Sequence, residues 1–256
     1  MKGKILIALF FLTVFSNGWT QEVENREKAP SFFGFQIKPI FPAVFMGTTK
    51  MNNNVGNFYT SMDMAVSYSF GGVVRAGITK LIAIETGINL TQRNYKVNSS
   101  VPDSNLYVQS RLRYVTYDIP VSALFYIRLA KPVYMNVSIG AALTYNPTVA
   151  GIKNMPGGYH EFYQIALGKK ITGDFLGNMG FEYRTEKAGV FYLGAEARVP
   201  FGPLFYLKST YKNQGHELTT DAENQGKVNG SYLALQIKYF FPIKKIKGSP
   251  VKRPIE

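Results

Sequence analysis

Apolar residues recur at every second position in repeated segments of this chain. The segment before the C-terminal tail shows the pattern best, because one face would carry Leu233, Leu235, Ile237, Tyr239 and Phe241 and the other Ala234, Gln236 and Lys238. Successive side chains of a β-strand point to opposite faces of a sheet, so this period predicts strands with one apolar and one polar face. After residue 20, no apolar run approaches the roughly 20 residues of a transmembrane helix. The predicted class is all-β.

Eight such strands are predicted, joined alternately by short turns and long polar links. The strands lie near residues 33–41, 66–78, 82–94, 109–128, 132–145, 175–184, 188–199 and 233–241. Short turns are expected near Lys80, Ala130 and Lys187, and long links at about 46–62, 95–108, 147–171 and 208–230. The long links are rich in Asn, Gly, Ser and Thr and have room for extra short strands.

This arrangement predicts a specific architecture. An even number of antiparallel strands, with short connections on one side and long ones on the other, is typical of bacterial outer-membrane proteins. The sequence therefore predicts an eight-stranded antiparallel up-and-down transmembrane β-barrel over residues 32–242, with short periplasmic turns and long extracellular loops. A turn centred on Ala130 would place Phe125 opposite Met135, so that the apolar faces of these two strands coincide.

Prolines are expected at strand ends or bulges, because a proline inside a paired strand removes one ladder hydrogen bond. The prolines concerned are Pro39, Pro42, Pro120, Pro200 and Pro203.

The N-terminus resembles a secretory signal peptide. Lys2 and Lys4 precede an apolar run from Ile5 to Phe15, which is too short to span a bilayer as a helix. Small residues before Gln21 predict cleavage after Thr20, which gives a signal peptide over 1–20 and an N-terminal periplasmic segment over 21–31. An uncleaved anchor or a buried strand is the alternative.

Charge and cysteine content fit an exported chain. The formal charge of +13 falls by two when Lys2 and Lys4 leave, and part of the remainder lies in residues 243–256, predicted as a basic periplasmic tail. The tail would be disordered or would contact an anionic partner. The chain has no cysteine, which excludes disulfides and thiolate metal sites. Expected anionic partners are outer-membrane lipid, lipopolysaccharide and surface glycans. Nucleic acid is not expected, since no nucleic-acid-binding pattern is present.

Charged residues of both signs share the polar faces of the predicted strands. The predicted lumen charge network consists of Lys38, Arg75, Glu85, Glu182, Arg184, Glu196, Arg198 and Lys238. A hairpin centred on Lys80 sets Arg75 directly opposite Glu85 and predicts an ion pair between them. These charges would line a selective pore or a proton path, or they would plug the interior with ion pairs. Plugging is favoured, because eight strands leave an interior just wide enough for side chains.

Candidate chemistry is sparse. The two histidines, His160 and His216, adjoin Glu161 and Glu217 in predicted loops. Adjacent residues of an extended chain point apart, so neither pair is preset as a catalytic base and its orienting group. The histidines could share a metal only if their loops meet. We therefore expect no enzyme activity, catalytic residues, metal or cofactor.

Three phrases resemble the PorT-like outer-membrane β-barrel family of Bacteroidetes. They are Ile84-Glu85-Thr86-Gly87-Ile88-Asn89-Leu90-Thr91-Gln92-Arg93, Tyr117-Asp118-Ile119-Pro120-Val121 and Ser138-Ile139-Gly140. The resemblance covers roughly Phe33 to Phe241 and implies an eight-stranded outer-membrane barrel, a few relatives of which assist type IX secretion or gliding. Arg93-Asn94 departs from a common Lys-Gly pair, and the chain continues past the terminal aromatic Phe241.

The expected function is that of a monomeric, non-enzymatic outer-membrane barrel with a structural, binding or secretion-accessory role. Envelope or secretion proteins are further candidate partners through the loops or the basic tail. One alternative is a small-solute channel. Another is an exported soluble barrel that binds an apolar ligand inside, which requires aliphatic residues inward and charges outward. A period of two does not distinguish the two polarities.

Overall fold

The computed structural model describes residues 31–46, 50–147, 150–185, 187–221 and 226–242. The predicted signal peptide, most of the segment over 21–31 and the basic tail over 243–256 lie outside the described residues. Within them the chain is all-β, as predicted, with three short 3-10 helices between strands. A search of the described residues finds no helix long and apolar enough to cross a membrane.

The strands are numbered in chain order. They are β1 (Phe32–Pro42), β2 (Lys50–Val55), β3 (Phe58–Gly77), β4 (Ile82–Val101), β5 (Leu106–Arg128), β6 (Val133–Tyr145), β7 (Ala150–Asn154), β8 (His160–Leu167), β9 (Ile171–Arg184), β10 (Val190–Pro200), β11 (Phe205–Asn213), β12 (His216–Thr219), β13 (Lys227–Val228) and β14 (Tyr232–Phe240). The 3-10 helices are Val44–Met46, Pro102–Ser104 and Pro156–Gly158.

Eight of these strands form one large antiparallel sheet that returns on itself. The order of pairing is β1, β14, β10, β9, β6, β5, β4 and β3, and β3 pairs again with β1. The eight strands of this ring correspond to the eight predicted from the sequence. β2 pairs with the outer part of β3 and extends the sheet beyond the ring.

The ring has a polar inside and an apolar outside. In β1 the side chains of Phe33, Phe35 and Ile37 are 53%, 55% and 59% exposed, whereas those of Gln36 and Lys38 are 3% and 2% exposed. The same alternation holds on the other ring strands. The alternation therefore has a definite polarity, with the charged residues facing inward and the aliphatic and aromatic residues facing outward.

Four ring strands extend beyond their predicted bounds by more than one residue, β3 and β4 by seven or eight residues and β5 and β9 by three or four. β3 and β4 have 20 residues each and β5 has 23, so most of the predicted link over 95–108 is strand. The connection between β4 and β5 is the 3-10 helix Pro102–Ser104 followed by Asn105, whose φ of 48° lies in the left-handed region. The outer parts of the strands carry polar residues on the exposed face, and this composition resembles that of a loop.

A second sheet lies over the loop end of the ring, built from segments predicted as long links. Its strands run in the order β12, β11, β8 and β7, with β13 beside β11. Its apolar face and the outer parts of β2 to β5 enclose a core that extends down to the ring. This loop-end core contains Ile40, Met51, Met62, Met64, Tyr95, Val97, Leu112, Tyr114, Ala166, Leu204, Phe205, Leu207, Val228, Tyr232 and Ala234. Apolar packing thus covers the polar interior on this side.

The predicted register of the hairpin between β5 and β6 is wrong by two residues. Phe125 pairs with Val137 and not with Met135, because the turn is centred on Lys131 and not on Ala130. A shift of two residues keeps every side chain on its predicted face, whereas a shift of one would have inverted the strand. The apolar faces of the two strands therefore still coincide.

Two prolines lie inside strands, neither at a strand end nor at a shift of the strand register, contrary to the prediction of strand ends or bulges. Pro42 and Pro200 end β1 and β10, but Pro39 and Pro120 are internal. The ladder between β1 and β14 has no pairing at Pro39, and that between β4 and β5 has none at Pro120. The hydroxyl of Thr86 donates to the Pro120 carbonyl at 2.8 Å. Each missing donor is therefore accommodated by a local gap on one side of the strand.

The loop-end core gives a stability prediction. Phe205 is fully buried and its ring packs edge-on against Tyr95, with ring centroids 5.3 Å apart. Phe205→Ala is expected to lower the free energy of unfolding of the full chain by about 3–5 kcal/mol, because it removes apolar contacts and leaves a cavity. Urea unfolding would measure the loss. Ile165→Ala, at an exposed position of the neighbouring β8, is the control; an equal loss in both variants would contradict a specific core.

Candidate functional site

Ten charged side chains occupy the inside of the ring, and they fall into two clusters. The turn-end cluster consists of Arg75, Glu85, Glu182, Arg184 and Lys238, and the loop-side cluster consists of Lys38, Asp118, Asp174, Glu196 and Arg198. Five are basic and five acidic, so the set is formally neutral. All eight residues of the predicted network lie in these clusters, which add Asp118 and Asp174.

Arg75 is the centre of the turn-end cluster. It lies opposite Glu85 in the register of β3 and β4, and its Nη2 is 2.7 Å from Glu85 Oε2, so the predicted ion pair is formed. Its Nη1 donates to Glu182 and, at 3.1 Å, to the Tyr126 hydroxyl. Its guanidinium carbon lies 4.3 Å from the centroid of the Phe240 ring. Arg75 thereby joins strands on different sides of the ring.

The remaining charges of this cluster complete the pairing. Lys238 Nζ donates to Glu85, and Arg184 Nε donates to Glu182. Arg184 also lies over the ring of Tyr134, at 4.0 Å from its centroid, and its side chain is 19% exposed. It is the member of the cluster nearest to solvent at the turn end.

Arg198 has the corresponding place in the loop-side cluster. Its guanidinium lies between two carboxylates, 3.1 Å from Asp118 and 2.8 Å from Asp174. It also donates to the Tyr232 hydroxyl at 3.0 Å and to Thr144 at 3.2 Å. Arg198 is 1% exposed, so one arginine and two carboxylates are held out of solvent together.

The second pair of the loop-side cluster joins β1 to β10. Lys38 Nζ lies 2.9 Å from Glu196 Oε2, and both side chains are almost fully buried. Gln236 donates a further hydrogen bond to Glu196. Asn89 and Thr91 each donate to Asp118 at 2.9 Å. Neutral amides and hydroxyls thus supply further hydrogen bonds to the carboxylates of Glu196 and Asp118.

Little free space separates the two clusters. A cavity of about 10 Å³ lies between them, lined in part by Lys38, Glu85, Glu196 and Gln236. This volume leaves room for about one water molecule. The geometry therefore favours the plugging interpretation of the interior charges over an open selective lining.

The sequence contained a signal for the two acidic residues that the prediction omitted. Asp118 precedes the outward Ile119 by one position, and Asp174 precedes the outward Phe175 in the same way. Alternation alone would have placed both carboxylates inside. The hairpin of β9 and β10 also places Asp174 diagonally opposite Arg198, because Asp174 pairs with Pro200. No comparable signal pairs Arg198 with Asp118, because β5 is not a neighbour of β10 and the two side chains meet only across the closed ring.

A buried arginine also marks the boundary between the polar interior and the loop-end core. Arg93 is 1% exposed, donates to the Gly230 carbonyl and lies 5.0 Å from the centroid of the Tyr232 ring. Burial raises the pKa of the adjacent Tyr95 to about 12. Tyr95 is therefore neutral at physiological pH.

The two histidines lie at one end of the second sheet. His160 and His216 both lie opposite Asn213 of β11, one on each neighbouring strand, so their loops do meet. His160 Nδ1 is 2.8 Å from the Tyr211 hydroxyl, and the two rings stack. In the part of the chain that the structure describes, no three histidine, aspartate or glutamate side chains are grouped as ligands for a metal ion.

The outer surface of the ring forms a continuous apolar belt. Each ring strand contributes exposed residues to it, for example Phe35, Phe70, Ile88, Val121, Ile139, Met179, Leu193 and Ile237. The exposed apolar face runs for nine residues from Phe33 to Phe41 on β1 and for eleven from Tyr117 to Ile127 on β5. Aromatic residues concentrate near its two edges, with Phe33, Tyr183, Phe191 and Phe241 at the turn end and Phe41, Tyr68, Tyr117 and Tyr145 at the loop end.

Comparison with known proteins adds no family assignment: no family model matches the sequence, and no curated protein is significantly similar to it. The resemblance to PorT-like barrels therefore stays a prediction.

The loop-side cluster gives a second stability prediction. Arg198→Met is expected to destabilise the full chain by about 3–5 kcal/mol, because it leaves Asp118 and Asp174 buried without their cation. Adding Asp118→Asn and Asp174→Asn in the same chain should restore part of this loss. Urea unfolding of the folded chain would measure both effects.

Arg128→Met is the matched control, because Arg128 is an exposed arginine at the turn end of the same β5. Its effect should stay within about 0.5 kcal/mol. A loss in Arg198→Met that the two asparagines do not reduce would mean that packing, and not charge pairing, accounts for the contribution of Arg198.

Proposed function

We propose that this chain is an eight-stranded, up-and-down transmembrane β-barrel of the bacterial outer membrane. The observation that carries the proposal is the inverted polarity of the closed ring, with paired charges inside and an apolar belt outside. In water this arrangement would expose a large apolar surface, and such surfaces mark contact with a membrane or a partner.

The dimensions of the belt support a bilayer as the contact. Strands of about 9–11 tilted residues cross the hydrocarbon core, and the exposed apolar faces of β1 and β5 have this length. Closure of the ring also supports the proposal, because unpaired backbone groups are not tolerated in lipid. Aromatic residues near both edges would lie at the two membrane interfaces, as in other membrane barrels.

The connections support an orientation. The short turns between β3 and β4, β5 and β6, and β9 and β10 lie at one end of the ring, as do residues 31 and 242. The long extension of β3 to β5 and the second sheet lie at the other. Short connections are periplasmic and long ones extracellular in bacterial barrels, so the loop-end core would face the cell exterior.

We further propose a monomeric, non-enzymatic protein with a structural, binding or secretion-accessory role in the envelope. The neutral, hydrogen-bonded interior and the apolar core above it favour a plugged barrel over a small-solute channel. The exported soluble barrel with an apolar ligand inside requires the opposite polarity. The second sheet and the basic tail offer surfaces for envelope or secretion proteins, and the resemblance to PorT-like barrels is compatible with the last of these roles.

Membrane integration is tested by cell fractionation combined with a gel run before and after boiling. The full chain is expected in the outer-membrane fraction, with a mobility that changes on heating because the closed sheet resists detergent until it is boiled. A charge in the centre of the belt should interfere, since a lysine facing the bilayer midplane costs about 2–4 kcal/mol.

Ile37→Lys is therefore expected to reduce the heat-modifiable fraction. Tyr107→Lys, at an exposed position of β5 beyond the belt, is the control and should not. A chain recovered entirely in the soluble periplasm would rule out the membrane proposal.

Conductance separates a plugged barrel from a channel. The full chain inserted in a planar bilayer is expected to be electrically silent, because the cavity between the two clusters has room for about one water. Stable unitary currents that persist across independent preparations would instead support the channel alternative.

A further inference from the structure

The exposed face of the long hairpins carries an unusual group of cations just beyond the apolar belt. Lys96 on β4 and Arg111 and Arg113 on β5 are all exposed. Lys96 and Arg111 are direct partners in the register of the two strands. Like charges directly opposite each other destabilise a sheet unless an anion lies between them.

The described residues supply little compensating charge. Asp63 lies opposite Lys96 on β3, but its carboxylate pairs with Lys50 at 3.6 Å. No carboxylate in the described ranges forms an ion pair with Lys96, Arg111 or Arg113. The three cations therefore have no ion-pair partner among the described residues, and an anion from outside the protein would neutralise them.

Hydrogen bonds link the polar side chains that lie beside these cations. The Tyr68 hydroxyl donates to Gln92 at 2.9 Å, the Gln92 amide donates to Asn94 at 3.0 Å, and Asn94 donates to the Val66 carbonyl at 2.9 Å. Val66, Gln92, Asn94 and the three cations border a groove of about 400 Å³, beside the bulge where the register of β3 and β4 shifts. We call it the basic groove: Val66, Gln92, Asn94, Lys96, Arg111 and Arg113.

The basic groove lies at the edge of the belt. On β5 the same face carries Arg113, then Val115, then the exposed aromatic Tyr117. The four residues from Tyr117 to Arg113 span about 13 Å of strand, and Arg111 lies two residues further on, so the cations lie outside the aromatic edge, on the headgroup side of the belt. On β5 the outward face changes from the aromatic Tyr117 through Val115 to the cations. On β4 it changes from Leu90 through the amides Gln92 and Asn94 to Lys96. Both orders follow the change from acyl chain to headgroup along a lipid.

We propose that the basic groove binds the phosphate of a lipid headgroup. This inference rests on the proposed membrane insertion, and the proposed orientation makes the ligand a phosphorylated lipid of the outer leaflet, lipopolysaccharide. The two arginines can bind phosphate oxygens through paired N–H groups, Lys96 adds a point charge, and the amides of Gln92 and Asn94 lie beside them. The acyl chains would lie along the belt below.

The test uses the full chain folded in non-ionic detergent micelles, with lipid A as the probe and native mass spectrometry to measure its dissociation constant. Lys96→Gln, Arg111→Gln and Arg113→Gln are combined in one variant, which should bind lipid A at least tenfold more weakly. The control combines Lys153→Gln, Lys208→Gln and Lys212→Gln, exposed lysines of the second sheet that remove the same charge. It should stay within twofold of the natural chain.

Two further probes identify the ligand. Lipid A stripped of its phosphates should bind the natural chain no better than it binds the basic-groove variant. Inorganic phosphate at the same concentration should not displace lipid A, because it lacks the acyl chains that the belt would hold. Displacement by inorganic phosphate would replace the lipid site with a site for free anions.

Equal weakening in both triple variants would overturn the proposal, because it would mean that net charge alone attracts the lipid. Unchanged binding in the basic-groove variant would overturn it as well. If that variant still reaches the outer membrane and still shifts on heating, only the headgroup site fails and the barrel proposal stands. A natural chain that is soluble and never integrates would overturn both.

Discussion

Closure of the sheet by the pairing of β3 with β1 is the constraint on which the rest of this structure depends. Once the ring is closed, half of every ring strand faces an interior too narrow for bulk solvent. Each charge on that face must then find a partner within the molecule, because an unpaired buried charge costs several kcal/mol. The ten charges of the two clusters meet this requirement as a neutral set, and amides, hydroxyls and aromatic rings lie between them. Arg93, at the boundary with the loop-end core, is contacted instead by the Gly230 carbonyl and the Tyr232 ring.

The same closure sets what the outside can be. The ring strands are paired on both sides, apart from the gaps at Pro39 and Pro120 and the bulge between β3 and β4, so the outer surface needs little polar backbone contact. That surface is accordingly free to be apolar on all eight strands. The loop-end core is a separate and larger apolar centre, and it lies directly above a ring interior whose apolar clusters are small.

The sequence was sufficient for the parts of the fold that depend on strict alternation. Eight strands, their faces and the pairing of Arg75 with Glu85 all follow from a period of two and a short turn. The turn at Lys131 shows the limit, because two registers separated by two residues bury the same faces and the sequence pattern does not choose between them. The outer parts of β3 and β4 were missed since their exposed faces are polar, and their apolar faces become a core only against a sheet assembled from distant links.

The interior network shows a similar division. Alternation could have placed Asp118 and Asp174 inside the ring, but their shared contact with Arg198 requires knowledge of which strands close on which. The surroundings of Arg93 and of the basic-groove cations could not be predicted from the sequence pattern for another reason. Their surroundings are set by the second sheet and by a bulge, neither of which leaves a periodic trace.

The continuity of β3, β4 and β5 through both halves of the molecule has a mechanical consequence. Each of these strands continues from the ring into the wall of the loop-end core, and β3 carries a bulge at the boundary, between Ala65 and Tyr68. A pull on the outer sheet along the strand direction would load the ladder hydrogen bonds in shear, so that many bonds share the force at once. A force applied to the outer sheet would therefore be transmitted along these strands to the hydrogen bonds of the ring.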